Sequence, residues 1–154
     1  MYLHHGEWFF MQNVNLIFHE AGHVLFIFFG NFMSILGATI TELGIPLTVS
    51  LYFLYHKQLY SAGFGFWWLS TALYSVSVYA ADAHSRVLPL ITGDPGTHDW
   101  YNMLSQLGWL RFDSAFGNFF MVLSFLSLAG AVFCMYQGLE KSEKYSSHIA
   151  IFKK

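Results

Sequence analysis

Charged side chains are scarce in this chain: only 10% of its 154 residues are Asp, Glu, Lys or Arg, whereas 55% are hydrophobic. A soluble domain carries about 25% charged residues, and a chain of this size could not hide so much apolar surface from water. The formal net charge is −2 and no basic run precedes the C-terminal tail, so we expect no nucleic-acid partner. The composition instead predicts an integral membrane protein surrounded by lipid.

Cysteine is also nearly absent, because Cys134 is the single one. This excludes an internal disulfide and a cysteine-ligated zinc finger. The N-terminus has neither a basic region nor a small-residue cleavage site, so we expect the first hydrophobic stretch to stay in the mature protein. Of the three prolines, Pro46 falls inside a predicted helix, where it should cause a kink.

Four hydrophobic stretches reach the length of about 20 residues that a helix needs to cross the hydrocarbon layer. They run from about residue 8 to 29, 32 to 55, 60 to 81 and 115 to 137. We therefore predict an all-α integral membrane protein with about four transmembrane helices. It forms a single domain, residues 1–139, followed by a polar tail, residues 140–154. The short Gly30-Asn31 link makes the first two helices an antiparallel hairpin.

Basic residues predict the orientation. Four crossings put both termini on one side of the membrane. The opposite side then holds Arg86 and Arg111, and the side of the termini holds five lysines: Lys57, Lys141, Lys144, Lys153 and Lys154. Because basic residues are enriched in cytoplasmic segments, we expect both termini in the cytoplasm.

The first predicted helix carries a pattern typical of metal sites. His19 and His23 are four residues apart and therefore lie on one helix face, where both imidazoles can bind one zinc ion. Zinc can bring the pKa of water to about 7, and Glu20 can then accept the proton. This is the arrangement of the HExxH metalloprotease helix.

His19 would lie roughly 16 Å from the start of its helix, near the bilayer centre, where ionisable groups are costly and need partners. One alternative is a hydrogen-bonded polar cluster that joins helices. Another uses Glu20 and His23 in a di-iron carboxylate bundle. That site needs a second Glu-x-x-His, but the residue three after Glu42 is Ile45.

A zinc site needs a third protein ligand. The long loop between the third and fourth helices is rich in Gly and Pro and can re-enter the membrane where protein covers it. We predict His98 as the third ligand, with Asp99 orienting it or substituting for it, and Asp94 as the runner-up. Alternatively, the loop is an extramembrane cap in which His98 and Asp99 are N-cap residues. The remaining candidates are Glu42, Asp82 and His84; for Glu42 the alternative is a protonated or hydrogen-bonded packing residue.

Residues 15–23, Asn-Leu-Ile-Phe-His-Glu-Ala-Gly-His, together with His98-Asp99-Trp100, resemble small bacterial membrane proteins with a His-Glu-Ala-Gly-His helix. These are related to site-2-protease-type intramembrane zinc metalloproteases. The resemblance implies zinc as cofactor, Glu20 as the catalytic residue and a bacterial inner-membrane location. In the protease family an aspartate of a Leu-Pro…Asp-Gly segment is the third ligand. Asp94 takes that position here, with Pro95 where Gly is expected.

Two functions follow. The first is an intramembrane zinc metallohydrolase, a site-2-protease-like peptidase acting on a transmembrane segment or a small membrane-associated molecule. The second is a non-catalytic, metal-binding accessory subunit that associates with other subunits of a larger membrane complex. The intact Glu20 favours the first, and the small size and missing peptide-binding domain favour the second.

Overall fold

The part of the chain that the structure describes is built from helices and contains no strand, which confirms the predicted all-α class. The structure is a computed structural model that describes residues 10–90 and 92–152, those after 141 as backbone only. Trp8, where the first span was expected to begin, and Lys153 and Lys154 lie outside the described residues, as does the side chain of Lys144. Five α-helices follow in order: α1 (Phe10–Phe26), α2 (Asn31–Tyr55), α3 (Leu59–Ala81), α4 (Asp99–Gln106) and α5 (Asp113–Phe152).

The link between α1 and α2 reverses the chain at a glycine. A short 3-10 turn, Ile27–Phe29, extends α1, and Gly30 follows with a φ of 94°, a conformation that residues with a Cβ rarely adopt. The two helices then pack against each other. Gly22 makes this possible, because a Cβ there would lie 2.6 Å from Ala38 Cα and would also meet the backbone of Gly37.

Helix α3 is the centre of the bundle, because it packs against α5 on one side and against α2 on the other. Helix α4 folds back onto α2 and α3 and closes a buried apolar cluster at that end of the bundle. Its members are Ile35, Val76, Ala80, Ala83, Trp100, Met103 and Leu104. This packing brings the start of α4 next to α1 and α2.

Among the described residues, two helical segments are long and apolar enough to cross a membrane by length and composition alone. They are α2 and the stretch Leu110–Lys141, which covers the first part of α5. The four-crossing topology stays a prediction. Large apolar side chains on α5 point away from the rest of the protein; Phe125, Leu126 and Phe133 are each more than 60% exposed.

Candidate metal centre

His19 and His23 lie one turn apart on α1, and a carboxylate from α4 meets both of them. Asp99 Oδ2 is 2.9 Å from His19 Nε2 and 3.2 Å from His23 Nε2. In a tetrahedral zinc site with bonds of about 2.0–2.1 Å, neighbouring ligand atoms are about 3.3 Å apart. One atom from each residue lies within 4.8 Å of the other two. The spacing of the three groups therefore fits a metal ion.

The chemistry of the donor set agrees with this spacing. Two imidazole nitrogens and one carboxylate oxygen are electron-rich atoms, and their close approach requires either a hydrogen-bonded N–H proton or a metal ion between them. Two histidines and one carboxylate also form a recurrent catalytic zinc site, which leaves one coordination position open. His19, His23 and Asp99 are called the triad below.

Glu42 on α2 holds the far side of the His19 ring. His19 Nδ1 lies 3.0 Å from Glu42 Oε2, and both side chains are buried. When Nδ1 of a neutral His19 donates its proton to this carboxyl group, Nε2 keeps a lone pair with which it could bind a metal ion. One alternative stated for Glu42 from the sequence, a hydrogen-bonded residue, is confirmed. Its pairing with His19 was not foreseen, since it depends on how α1 and α2 cross.

Asp99 is the first residue of α4, and its backbone fixes its position. Its N–H donates to Tyr79 Oη over 3.0 Å, which ties the start of α4 to α3. Burial alone would raise the pKa of Asp99, but its hydrogen bonds with His19 and His23 outweigh burial and hold the pKa below its usual range. The side chain is therefore a carboxylate, the form that binds metal.

The structure does not bring His98, the predicted third ligand, into the triad. Its ring is fully buried and stacks on Tyr79 with the ring centroids 4.2 Å apart. Nδ1 accepts from the Tyr101 N–H over 3.2 Å, and Nε2 lies 3.4 Å from Asp82 Oδ2. The alternative of an N-cap residue is confirmed for His98, and Asp99 takes the position expected for it. Burial lowers the pKa of His98, and Asp82 opposes this shift in part.

Asp82 organises the chain that leaves α3. Its carboxylate accepts hydrogen bonds from Ser85 Oγ and from the backbone N–H groups of Val87 and Leu88. Burial would raise its pKa, but these donors lower it. Asp82 thus folds the start of the loop and faces His98 without reaching the triad.

Asp94 and His84 also lie away from the triad. Asp94 is exposed and its side chain accepts from Gly96 N over 2.8 Å, which caps the short 3-10 turn Pro95–Thr97. His84 is exposed and its backbone N–H donates to Asp113. The structure therefore gives Asp94, the residue suggested by the protease resemblance, a role in turn formation.

A cavity of about 340 Å³ adjoins the triad. Glu20 lines it together with all three triad residues and Glu42, so the residue predicted to accept a proton lines the same cavity as the candidate ligands. The rest of the wall comes from α1, α3 and the loop before α4. Its members are Gln12, Leu16, Tyr74, Ser75, Val76, Val78, Tyr79, Leu88, Pro89, Leu90, Thr92 and Thr97.

Comparison with models of known protein families, with curated proteins and with solved structures gives no match to this chain.

Proposed function

We propose that this chain is an intramembrane zinc metallohydrolase, a peptidase of the site-2-protease kind. The observation that carries the proposal is the convergence of His19, His23 and Asp99 beside a cavity that Glu20 also lines. These three residues would hold the ion, and Glu42 would keep the His19 ring in the orientation that presents Nε2. The resemblance of the His-Glu-Ala-Gly-His helix to that family supports the same reaction class.

Each residue has a defined part in hydrolysis. A zinc ion at the triad would supply a Lewis acid that polarises a carbonyl group and makes a water more acidic. Glu20 would accept the proton of the attacking water and return it to the leaving amine. Because Glu20 follows His19 directly in the sequence, α1 places base and ligand on neighbouring positions of one helix.

The outer surface of the bundle supports an intramembrane location. Exposed apolar side chains on α5, among them Phe119, Val122 and Phe125, would each cost free energy in water and are at home in lipid. The helix is also long and apolar enough to cross a membrane. The substrate would accordingly be a transmembrane segment or a small membrane-associated molecule.

The test separates binding of zinc from turnover. Wild type, Glu20→Gln and His19→Ala are purified in nonionic detergent, and zinc content is measured beside cleavage of quenched fluorescent peptides with apolar segments. Removing a general base slows a reaction by about 100-fold or more, so Glu20→Gln should keep zinc and lose that much activity. His19→Ala should lose both.

Glu140→Gln is the matched control, since Glu140 is exposed on α5 and bonds to Tyr136, away from the triad. Equal turnover by wild type and Glu20→Gln would remove Glu20 from the mechanism. If the wild type retains zinc but cleaves no peptide, the proposed hydrolase activity is contradicted. The alternative of a non-catalytic, metal-binding accessory subunit then remains.

A further inference from the structure

The described wall of the cavity carries acidic side chains but no lysine or arginine. The described residues that line it include three carboxylates, Glu20, Glu42 and Asp99, and no lysine or arginine. The two described arginines turn to aromatic rings instead: Arg86 Cζ lies 4.1 Å from the centroid of Tyr101, and Arg111 covers Phe112. No described lysine or arginine is therefore available to meet a negative charge inside the cavity, and His19 and His23 already face Asp99.

A bound divalent ion does not reverse this. Asp99 and Glu20 would together balance its two positive charges, and Glu42 adds a third carboxyl group to the same wall. An anionic group of a ligand that lies away from the ion would lose hydration and gain no lysine or arginine partner from the wall, while it lies near carboxylates, which is costly. An uncharged or positively charged group meets no such penalty.

The remaining wall combines uncharged polar side chains with aliphatic ones, and the cavity is limited in size. Leu16, Val78, Leu88, Pro89 and Leu90 supply aliphatic surface. The volume of about 340 Å³ lies at the small end of ligand cavities, which run from about 300 to 1,000 Å³. A helix is about 10–12 Å wide with its side chains, so the cavity suits a small amphiphile or a short extended segment.

We infer that the site takes neutral or cationic amphiphiles, each a short apolar group beside an amide or ester, and rejects ligands of the same size that carry a carboxylate or phosphate. The inference rests on the proposed function, because the amide or ester is placed at the triad. It goes further because it predicts the charge of the substrate from the carboxyl groups that line the cavity.

The test uses three zinc-binding hydroxamates that share one phenylpropyl body. At the same distal position they carry a carboxamide, a primary ammonium or a carboxylate. Binding to the zinc-loaded full chain in dodecyl maltoside is measured by calorimetry at one pH and salt concentration. An unpaired buried charge weakens binding by at least about tenfold, so the carboxylate probe should bind that much more weakly than the carboxamide probe.

A variant that adds a positive charge to the cavity wall sharpens the test. Leu90→Lys places an ammonium group in the cavity wall and should recover most of the lost affinity for the carboxylate probe. Val87→Lys is the matched control, because Val87 is exposed in the same loop and is not part of the wall; it should leave all three affinities unchanged.

Equal affinity of the carboxylate and carboxamide probes in wild type would overturn the inference, as would the absence of zinc-dependent binding of any probe. Charge-selective binding without hydrolysis of any peptide would keep the inference and remove the proposed peptidase. Hydrolysis without charge selectivity would do the reverse.

Discussion

At the scale of single residues, the two histidines of α1 differ in their surroundings. His19 is buried and both of its ring nitrogens face carboxylates, Glu42 on one side and Asp99 on the other. His23 is more open and meets Asp99 with Nε2 alone. Because only His19 has its second nitrogen held, its orientation is the better defined of the two.

The first prediction concerns both imidazoles. Detergent-purified wild type should contain about one zinc per chain, since a catalytic zinc site needs three protein ligands. His19→Ala and His23→Ala each leave two, and elemental analysis should show that both variants lose the metal. Full metal retention by the double variant would contradict the account.

The second prediction concerns Glu42. Glu42→Gln keeps the size of the side chain but replaces the carboxyl group that meets His19 Nδ1 with an amide, so the His19 ring is held less firmly. Loss of such a partner costs about 10- to 100-fold in metal affinity. Competition with a chelator measures this, and Glu140→Gln should retain the wild-type affinity. Unchanged affinity in Glu42→Gln would show that the contact is only packing.

At the scale of elements, α4 and the loop before it bring Asp99, the proposed third ligand, to His19 and His23. The His98 ring is held by Tyr79, by Asp82 and by the Tyr101 N–H. The next residue, Asp99, donates its own N–H to Tyr79. His98 is thus a positioning residue that acts through Asp99.

The third prediction separates positioning from ligation. His98→Ala removes an N-cap, which costs about 0.5–2 kcal/mol, and leaves a void beside Tyr79. Zinc affinity should fall, although the coordinating atoms stay the same. His98→Asn, which restores a capping side chain, should recover part of the affinity in the same chelator competition. His56→Ala, at an exposed position, is the control; no recovery with Asn would point to a role other than capping.

The fourth prediction concerns the crossing of α1 and α2. In Gly22→Ala the new methyl group would meet the backbone of Gly37 and Ala38, so the helices must move apart and His19 must shift from Glu42. We expect a lower midpoint of thermal unfolding together with weaker zinc binding. Gly44→Ala is the matched control, because a Cβ there meets nothing within 4 Å. An equal response of the two variants would contradict the close approach.

These elements also show how much of the candidate site the sequence predicts. The one-turn spacing of His19 and His23 is a local property of a helix, and it predicts two ligands on one face without any knowledge of the fold. Asp99 and Glu42 reach His19 through contacts between distant parts of the chain. Whether these two residues reach His19 depends on the direction of α4 and on how closely α1 and α2 approach each other at Gly22. No local sequence pattern encodes either feature. His98 was preferred over Asp99 because imidazole is the commonest metal ligand, and the cap geometry reverses that order.

At the scale of the whole molecule, the bundle buries His19 and Glu42 and presents much apolar surface outward. The triad and Glu42 lie between α1, α2 and α4, whereas α5 presents large apolar side chains to its surroundings. Such an arrangement suits a protein in lipid, where ionisable groups face the interior of the bundle. Length and composition support a crossing for α2 and for the first part of α5.

The fifth prediction concerns orientation. If the chain makes the predicted four crossings, the five lysines on the side of the termini would place the C-terminus in the cytoplasm. A C-terminal fusion to a reporter that fluoresces only in the cytoplasm should be bright, and a fusion to a phosphatase that is active only outside should be silent. The opposite pattern would show that the orientation is reversed.

The central claim is that one zinc ion is held by His19, His23 and Asp99. Zinc-edge X-ray absorption on the detergent-purified full chain tests it most directly, because it reports the coordinating atoms around the metal. The account predicts two imidazole nitrogens and one carboxylate oxygen from the protein. It also predicts the same spectrum for zinc-loaded His98→Asn and a lost oxygen contribution in Asp99→Ala. A site with three imidazoles in wild type that falls to two in His98→Asn would contradict it.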